Sequence, residues 1–98
     1  MKSKKNQIPT VDTLMRVDGT STPVTPKNGV SYGLDELYKM LGCSMVQVVY
    51  TVADKNLILI CDEEGLFVPN PTVNSAASIL AGQPIVGNVL ACHTKRFK

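Results

Sequence analysis

Apolar residues recur along this chain with two different periods, and the change of period places its elements. Leu34, Leu37 and Leu41, with Tyr38 beside them, have the i, i+3, i+7 spacing of one helical stripe, while Asp35, Glu36 and Lys39 fall on the water side. The pattern predicts a helix from about Gly33 to Leu41, capped by Ser31 and ended by Gly42, with Asp35 and Glu36 in the first turn where the helix dipole favours anions. Met45 to Val52 is rich in β-branched residues and Leu57 to Cys61 is a continuous apolar run; Asp54-Lys55-Asn56 between them supplies turn residues. These two runs predict a central hairpin, with Val46, Val48 and Tyr50 on one face and Gln47, Val49 and Thr51 on the other.

Weaker patterns flank this centre. Val11 to Val17 is β-prone, Asp18-Gly19 is a turn signal, and Ser21 to Thr25 is a second arm that Pro23 and Pro26 confine to a sheet edge, because proline has no N–H for a ladder. Lys27-Asn28-Gly29 reads as another turn, and Asp62-Glu63-Glu64-Gly65 reverses the chain after the second strand of the central hairpin. Asn74 is a good cap for a short helix from Ser75 to Ala81, which Gly82 stops. Pro84 to Cys92 closes the chain as a strand interrupted at Gly87-Asn88, by a bulge or a tight turn. The expected fold is α+β: a small mixed or antiparallel sheet of four to five strands, with one main helix and one short helix.

Ninety-eight residues make one domain, which at this size buries roughly 60 to 65% of its chain surface. Five aromatic residues and no Trp leave the core to Val, Leu, Ile and Met and give little stacking surface, which disfavours a single-strand nucleic-acid binder. Six of the ten basic residues lie at the ends, as Lys2, Lys4, Lys5, Lys95, Arg96 and Lys98; between them four basic residues face eight acidic ones, a net charge of −4. The organisation expected is a disordered basic arm at 1–10, a single domain at 11–94 and a basic tail at 95–98. Such tails attract nucleic acid weakly, whereas an acidic body does not track a phosphate backbone.

Candidate chemistry is sparse. Cys43, Cys61 and Cys92 are odd in number, widely spaced and set among apolar residues, so neither a disulfide framework nor a zinc site is expected, and Cys61 and Cys92 read as small buried strand residues. A Ser-His-Asp arrangement would need the one histidine, His93, to fold back on Ser75 or Ser78. No phosphate-binding loop, dinucleotide fingerprint or metalloprotease motif occurs, so no catalytic residue, metal or cofactor is expected and the protein reads as a non-enzyme. No run reaches 18 apolar residues, and the basic start lacks the apolar stretch of a signal peptide, which suggests a cytoplasmic protein without a membrane span. The remaining candidate is a ligand site. Asn74, Ser75 and Ser78 surround the donor-rich start of the short helix, Arg16 is the single arginine within 11–94, and Glu63 and Glu64 could accept hydrogen bonds from a ribose or base edge.

Several of these runs together carry a resemblance. Leu-x-x-Leu-x-x-x-Leu-Gly from Leu34, Val-Gln-Val-Val-Tyr, Leu-Ile-Leu-Ile-Cys-Asp-Glu-Glu-Gly, Asn74 with Ala76-Ala77-Ser78, Ile-Leu-Ala-Gly and Ile-Val-Gly-Asn-Val-Leu follow one another over roughly the last 65 residues. In this order they resemble an uncharacterised domain-of-unknown-function family of short phage and mobile-element proteins. The resemblance implies a non-catalytic α+β domain acting in a host cell by occupancy, and it transfers no catalytic residue. Two functions are expected on that basis. One is a counter-defence protein, a homo-oligomer because one domain of this size can hardly enclose a ligand, that sequesters a small anionic, nucleotide-like host signal. The other is an inhibitor that binds a host protein through a sheet edge or its acidic face.

Overall fold

A computed structural model describes residues 11–52, 54–67 and 70–97; the basic arm expected at 1–10 lies outside the described residues. The chain forms β1 (Thr13–Met15), β2 (Ser21–Pro23), α1 (Leu34–Leu41), β3 (Val46–Tyr50), β4 (Leu57–Asp62), α2 (Ser75–Ala81) and β5 (Val89–His93), with single 3-10 turns at Gly65–Phe67 and Thr94–Arg96. All five strands join one antiparallel sheet in the order β2-β1-β5-β4-β3. The expected α+β architecture, with one longer and one shorter helix, is the one observed.

The helices lie on opposite faces of the sheet. Leu37 and Leu41 of α1, with Tyr32, pack on Leu14, Ile58, Ile60, Leu90 and Cys92. Ala77, Leu80 and Ala81 of α2, with Ile85, pack on Met15, Val49, Leu57, Leu59, Cys61, Val89 and Ala91. This two-sided cover explains the unbroken apolar run of β4: alternate side chains of a strand point to opposite faces, and both faces here are core.

Two local expectations are corrected. The stripe on α1 is narrower than its leucine spacing suggests, because Leu34 is 50% exposed while Leu37 is fully buried. That stripe meets Ile58 and Ile60, and Leu57 and Leu59 face the other helix. Ser31 does not cap α1; the N-cap is Gly33, whose N–H donates to Glu36 Oε1 at 3.2 Å while Oε2 of the same carboxylate accepts from the Lys27 N–H at 2.8 Å. Glutamate is long enough to reach back across its own first turn, and it closes the preceding loop as it does so.

The hairpin of β3 and β4 is not central. Strand β5 returns between β1 and β4, which leaves β3 at one edge of the sheet and β2 at the other. The interruption at Gly87-Asn88 makes that return possible. Val86 forms an antiparallel bridge with Val73, Gly87 then takes the left-handed φ of +79°, and Val89 begins pairing with β1. Residues 95–97, set apart by composition as a basic tail, are tied into the body: the Tyr32 N–H donates to the Arg96 carbonyl at 2.8 Å, and Arg96 Nε pairs with Asp12 at 3.4 Å.

Candidate functional site

The capping chemistry that marks Asn74 in the sequence is used inside the protein. Its side chain is 1% exposed. Oδ1 accepts from the Ala77 N–H at 3.2 Å, and Nδ2 donates to the Met15 carbonyl at 3.0 Å and the Gly87 carbonyl at 2.9 Å. One amide therefore holds the start of α2, the end of β1 and the kink before β5 together. Ser78, half-buried, is similarly committed: its hydroxyl donates to the Asn74 carbonyl at 2.8 Å and accepts from the Ile85 N–H at 2.8 Å. Both residues are braces between α2 and the segment that follows it, and neither offers a free polar group to a ligand.

The other candidates separate. Ser75 is exposed at the first position of α2. Arg16, half-buried just after β1, donates from Nη1 to Thr22 Oγ1 at 2.6 Å. A cavity of about 190 Å³ brings Arg16 together with Asn74 and Ser75, and Asp18 also lines it. Glu63 and Glu64 stand exposed in the turn after β4 and do not line the cavity that gathers Arg16 and the start of α2. The turn itself is held by the Glu63 N–H donating to the Met45 carbonyl at 3.0 Å and the Glu64 N–H to Asp62 Oδ1 at 2.9 Å.

His93 ends β5 and is exposed, with Nδ1 accepting the Lys95 N–H at 3.0 Å. It lines a second cavity, of about 540 Å³, with Gly29, Val30, Lys95 and Arg96, while Ser75 and Ser78 lie on α2 and are absent from that lining. Near this cavity the Tyr32 hydroxyl donates to Asp12 Oδ2 at 2.7 Å, and burial first, then this hydrogen bond, holds the phenol well above its usual pKa. The Arg96 guanidinium is occupied by Asp12 and by the carbonyls of Gly29 and Val30, so it closes the structure more than it offers a cation to solvent.

The thiols are set apart by burial. Cys61 is pushed up to about 11, by desolvation and then by nearby Asp62, and Cys92 to about 12, by desolvation and then by Asp12. Cys43 is half-buried and raised for the same leading reason. Thiol labelling of the native protein at neutral pH should modify Cys43 first and reach Cys61 and Cys92 only after unfolding, because the thiolate is the reactive species. Rapid native labelling of Cys61 or Cys92 would show that β4 and β5 open more readily than this packing allows.

A different polar surface lies on the edge strand β3. Thr51 and Met45 bond with Leu57 and Glu63 of the β4 side, so odd-numbered residues of this strand direct their backbone groups toward β4. The N–H and C=O groups of Val46, Val48 and Tyr50 therefore point away from the sheet. The N–H of Val52, next in that series, is taken by the Leu80 carbonyl at 3.1 Å, and no backbone partner of the other three occurs among the described residues. Tyr50 is 68% exposed, and Val52 and Ile79 are exposed as well. Sequence reasoning misses this edge, although one signal is present: residues 46–50 contain no charged residue and no Pro, the usual guards of an open edge, whereas β2 carries Pro23.

Among the described residues no helix is long and apolar enough to cross a membrane. No curated protein and no solved structure matches the chain. The model of one family does match, over residues 13–97, which takes in every strand and both helices. The chain belongs to the family of the domain of unknown function DUF3846.

Proposed function

We propose that this protein is a non-enzymatic binding protein of the phage or mobile-element type, which blocks a host protein in the cytoplasm by accepting one of its extended segments along β3. The observation that supports this reading is the outward row of backbone groups on Val46, Val48 and Tyr50, uncharged and without a backbone partner among the described residues, at the edge of a sheet whose two faces are covered by helices. An added strand would satisfy these donors and acceptors, and exposed Tyr50, Val52 and Ile79 would supply apolar contact. Of the two functions expected from sequence, edge docking is therefore preferred.

Sequestration of a small anionic ligand keeps one supporting observation, the cavity that gathers Arg16 and Ser75. It is the weaker reading. The cavity is about 190 Å³, smaller than the usual range for small-molecule sites, and the Asn74 amide that would receive the ligand is fully engaged.

Tyr50→Pro tests the edge reading. The Tyr50 N–H points outward, so proline there removes a docking donor without breaking the ladder to β4, and its side chain is already exposed. A host protein captured by the wild type should bind Tyr50→Pro roughly tenfold or more weakly, with the circular dichroism spectrum unchanged. In the wild-type complex, hydrogen exchange should slow at the amides of Val46, Val48 and Tyr50. Equal binding by a folded Tyr50→Pro variant would move the docking surface away from β3.

A further inference from the structure

The same edge is complementary to itself, and this inference rests on the edge reading above. We infer that, without its target, β3 pairs with β3 of a second copy about a two-fold axis at Val48, so that the docking edge is masked in a homodimer. Antiparallel pairing centred there places Val48 opposite Val48 and Val46 opposite Tyr50. All three residues have their backbone groups turned outward, so each outward N–H of one copy meets an outward C=O of the other. A shift of two residues in one direction would pair Val46 with Val52, whose N–H is already held by the Leu80 carbonyl.

The side chains and charges agree with this register. Val46 and Val48 are half-buried on the α1 face, and Tyr50 of the second copy would lie across Val46, an aromatic on a β-branched residue. Gln47 would face Val49 on the other side of the sheet. No residue from Cys43 to Ala53 is charged, so two identical strands meet without like-charge repulsion although the body as a whole is acidic. The opposite edge could not do this, because β2 has only three residues and one is proline. The dimer would be one continuous sheet with two-fold symmetry, and target binding would compete with it, so that the free protein is protected from indiscriminate edge-to-edge aggregation.

The test combines sedimentation over a concentration series with thiol cross-linking of the full chain. Wild-type protein should pass from monomer to dimer as concentration rises, and folded Tyr50→Pro should remain monomeric. Val48→Cys should form a disulfide-linked dimer on mild oxidation, since only that position faces itself across the axis, whereas Tyr50→Cys, which would face Val46 of the second copy and lies opposite Ile58 in its own chain, and the wild type, with its own three cysteines, should not. If Tyr50→Pro fails to fold, the cross-linking pattern decides alone. A wild-type protein that stays monomeric throughout, a dimer that survives Tyr50→Pro, or equal cross-linking through Tyr50→Cys would overturn the inference. A dimer appearing only when residues 1–9 are deleted would also overturn it and make that arm the occupant. A monomeric wild type whose target binding still falls with Tyr50→Pro would sink self-pairing alone, while a Tyr50-dependent dimer with Tyr50-independent target binding would sink the docking reading alone.

Discussion

Asn74→Ala will lower the unfolding free energy by roughly 3 kcal/mol, measured as a shift of the urea midpoint at unchanged slope. A simple helix cap would contribute about 1 kcal/mol. The larger figure follows because the same amide also donates to the carbonyls of Met15 and Gly87 in a site that is 1% exposed, and each buried acceptor left without its donor costs about 1 kcal/mol more. Asn74→Asp will be no milder. Aspartate keeps an oxygen for the Ala77 N–H but loses both donors and sets a carboxylate against two carbonyl oxygens. Wild-type stability in Asn74→Asp would mean that the amide does not hold β1 and the kink before β5 together. Such a result would return this residue to ligand binding.

Leu37→Ala will cost roughly 2 to 5 kcal/mol, a large part of the stability available to a domain of this size. Leu37 is fully buried on the α1 face, against a wall of Ile58, Ile60 and Leu90 that sheet pairing holds in place. That wall cannot collapse into the space left by the missing methyls, so the cavity term adds to the lost transfer energy. Leu34→Ala is the internal control. Half exposed on the same helix, it should change stability by well under half as much, and equal losses from the two variants would show that α1 is rotated away from the orientation that buries Leu37.

What can be read in advance is local chemistry with one dominant cause. The cap at Asn74 and the stop at Gly82 are such cases, since a side-chain acceptor before an apolar run and a residue free to adopt φ of +72° act within a few residues of themselves. The edge position of β2 is legible for the same reason, because Pro23 forbids a second ladder. The partners of Asn74 are not legible. Nδ2 reaches a carbonyl 59 residues earlier in the chain, and nothing near position 15 marks it as an acceptor. Charge alone groups Arg16, Glu63 and Glu64, and the fold puts Arg16 beside Thr22 and the start of α2 while leaving the two glutamates exposed in a turn outside the cavity that Arg16 lines.

By itself the sequence determined the kinds of element, two helices and four to five strands, because hydrophobic period, turn residues and caps are short-range and largely independent of what lies across the sheet. Tertiary structure decided which strands are neighbours. The apolar run of β4 is compatible with a central or a peripheral place in the sheet until β5 returns beside it, and that return depends on Gly87 turning left-handed and on Asn74 bracing the loop from the far side. Strand order in turn decided which backbone groups remain unpaired. The proposed working surface, the outward N–H and C=O groups of Val46, Val48 and Tyr50, is therefore a property of the assembled sheet, since nearly every residue carries the same backbone donor and acceptor and only the neighbours determine whether they are used.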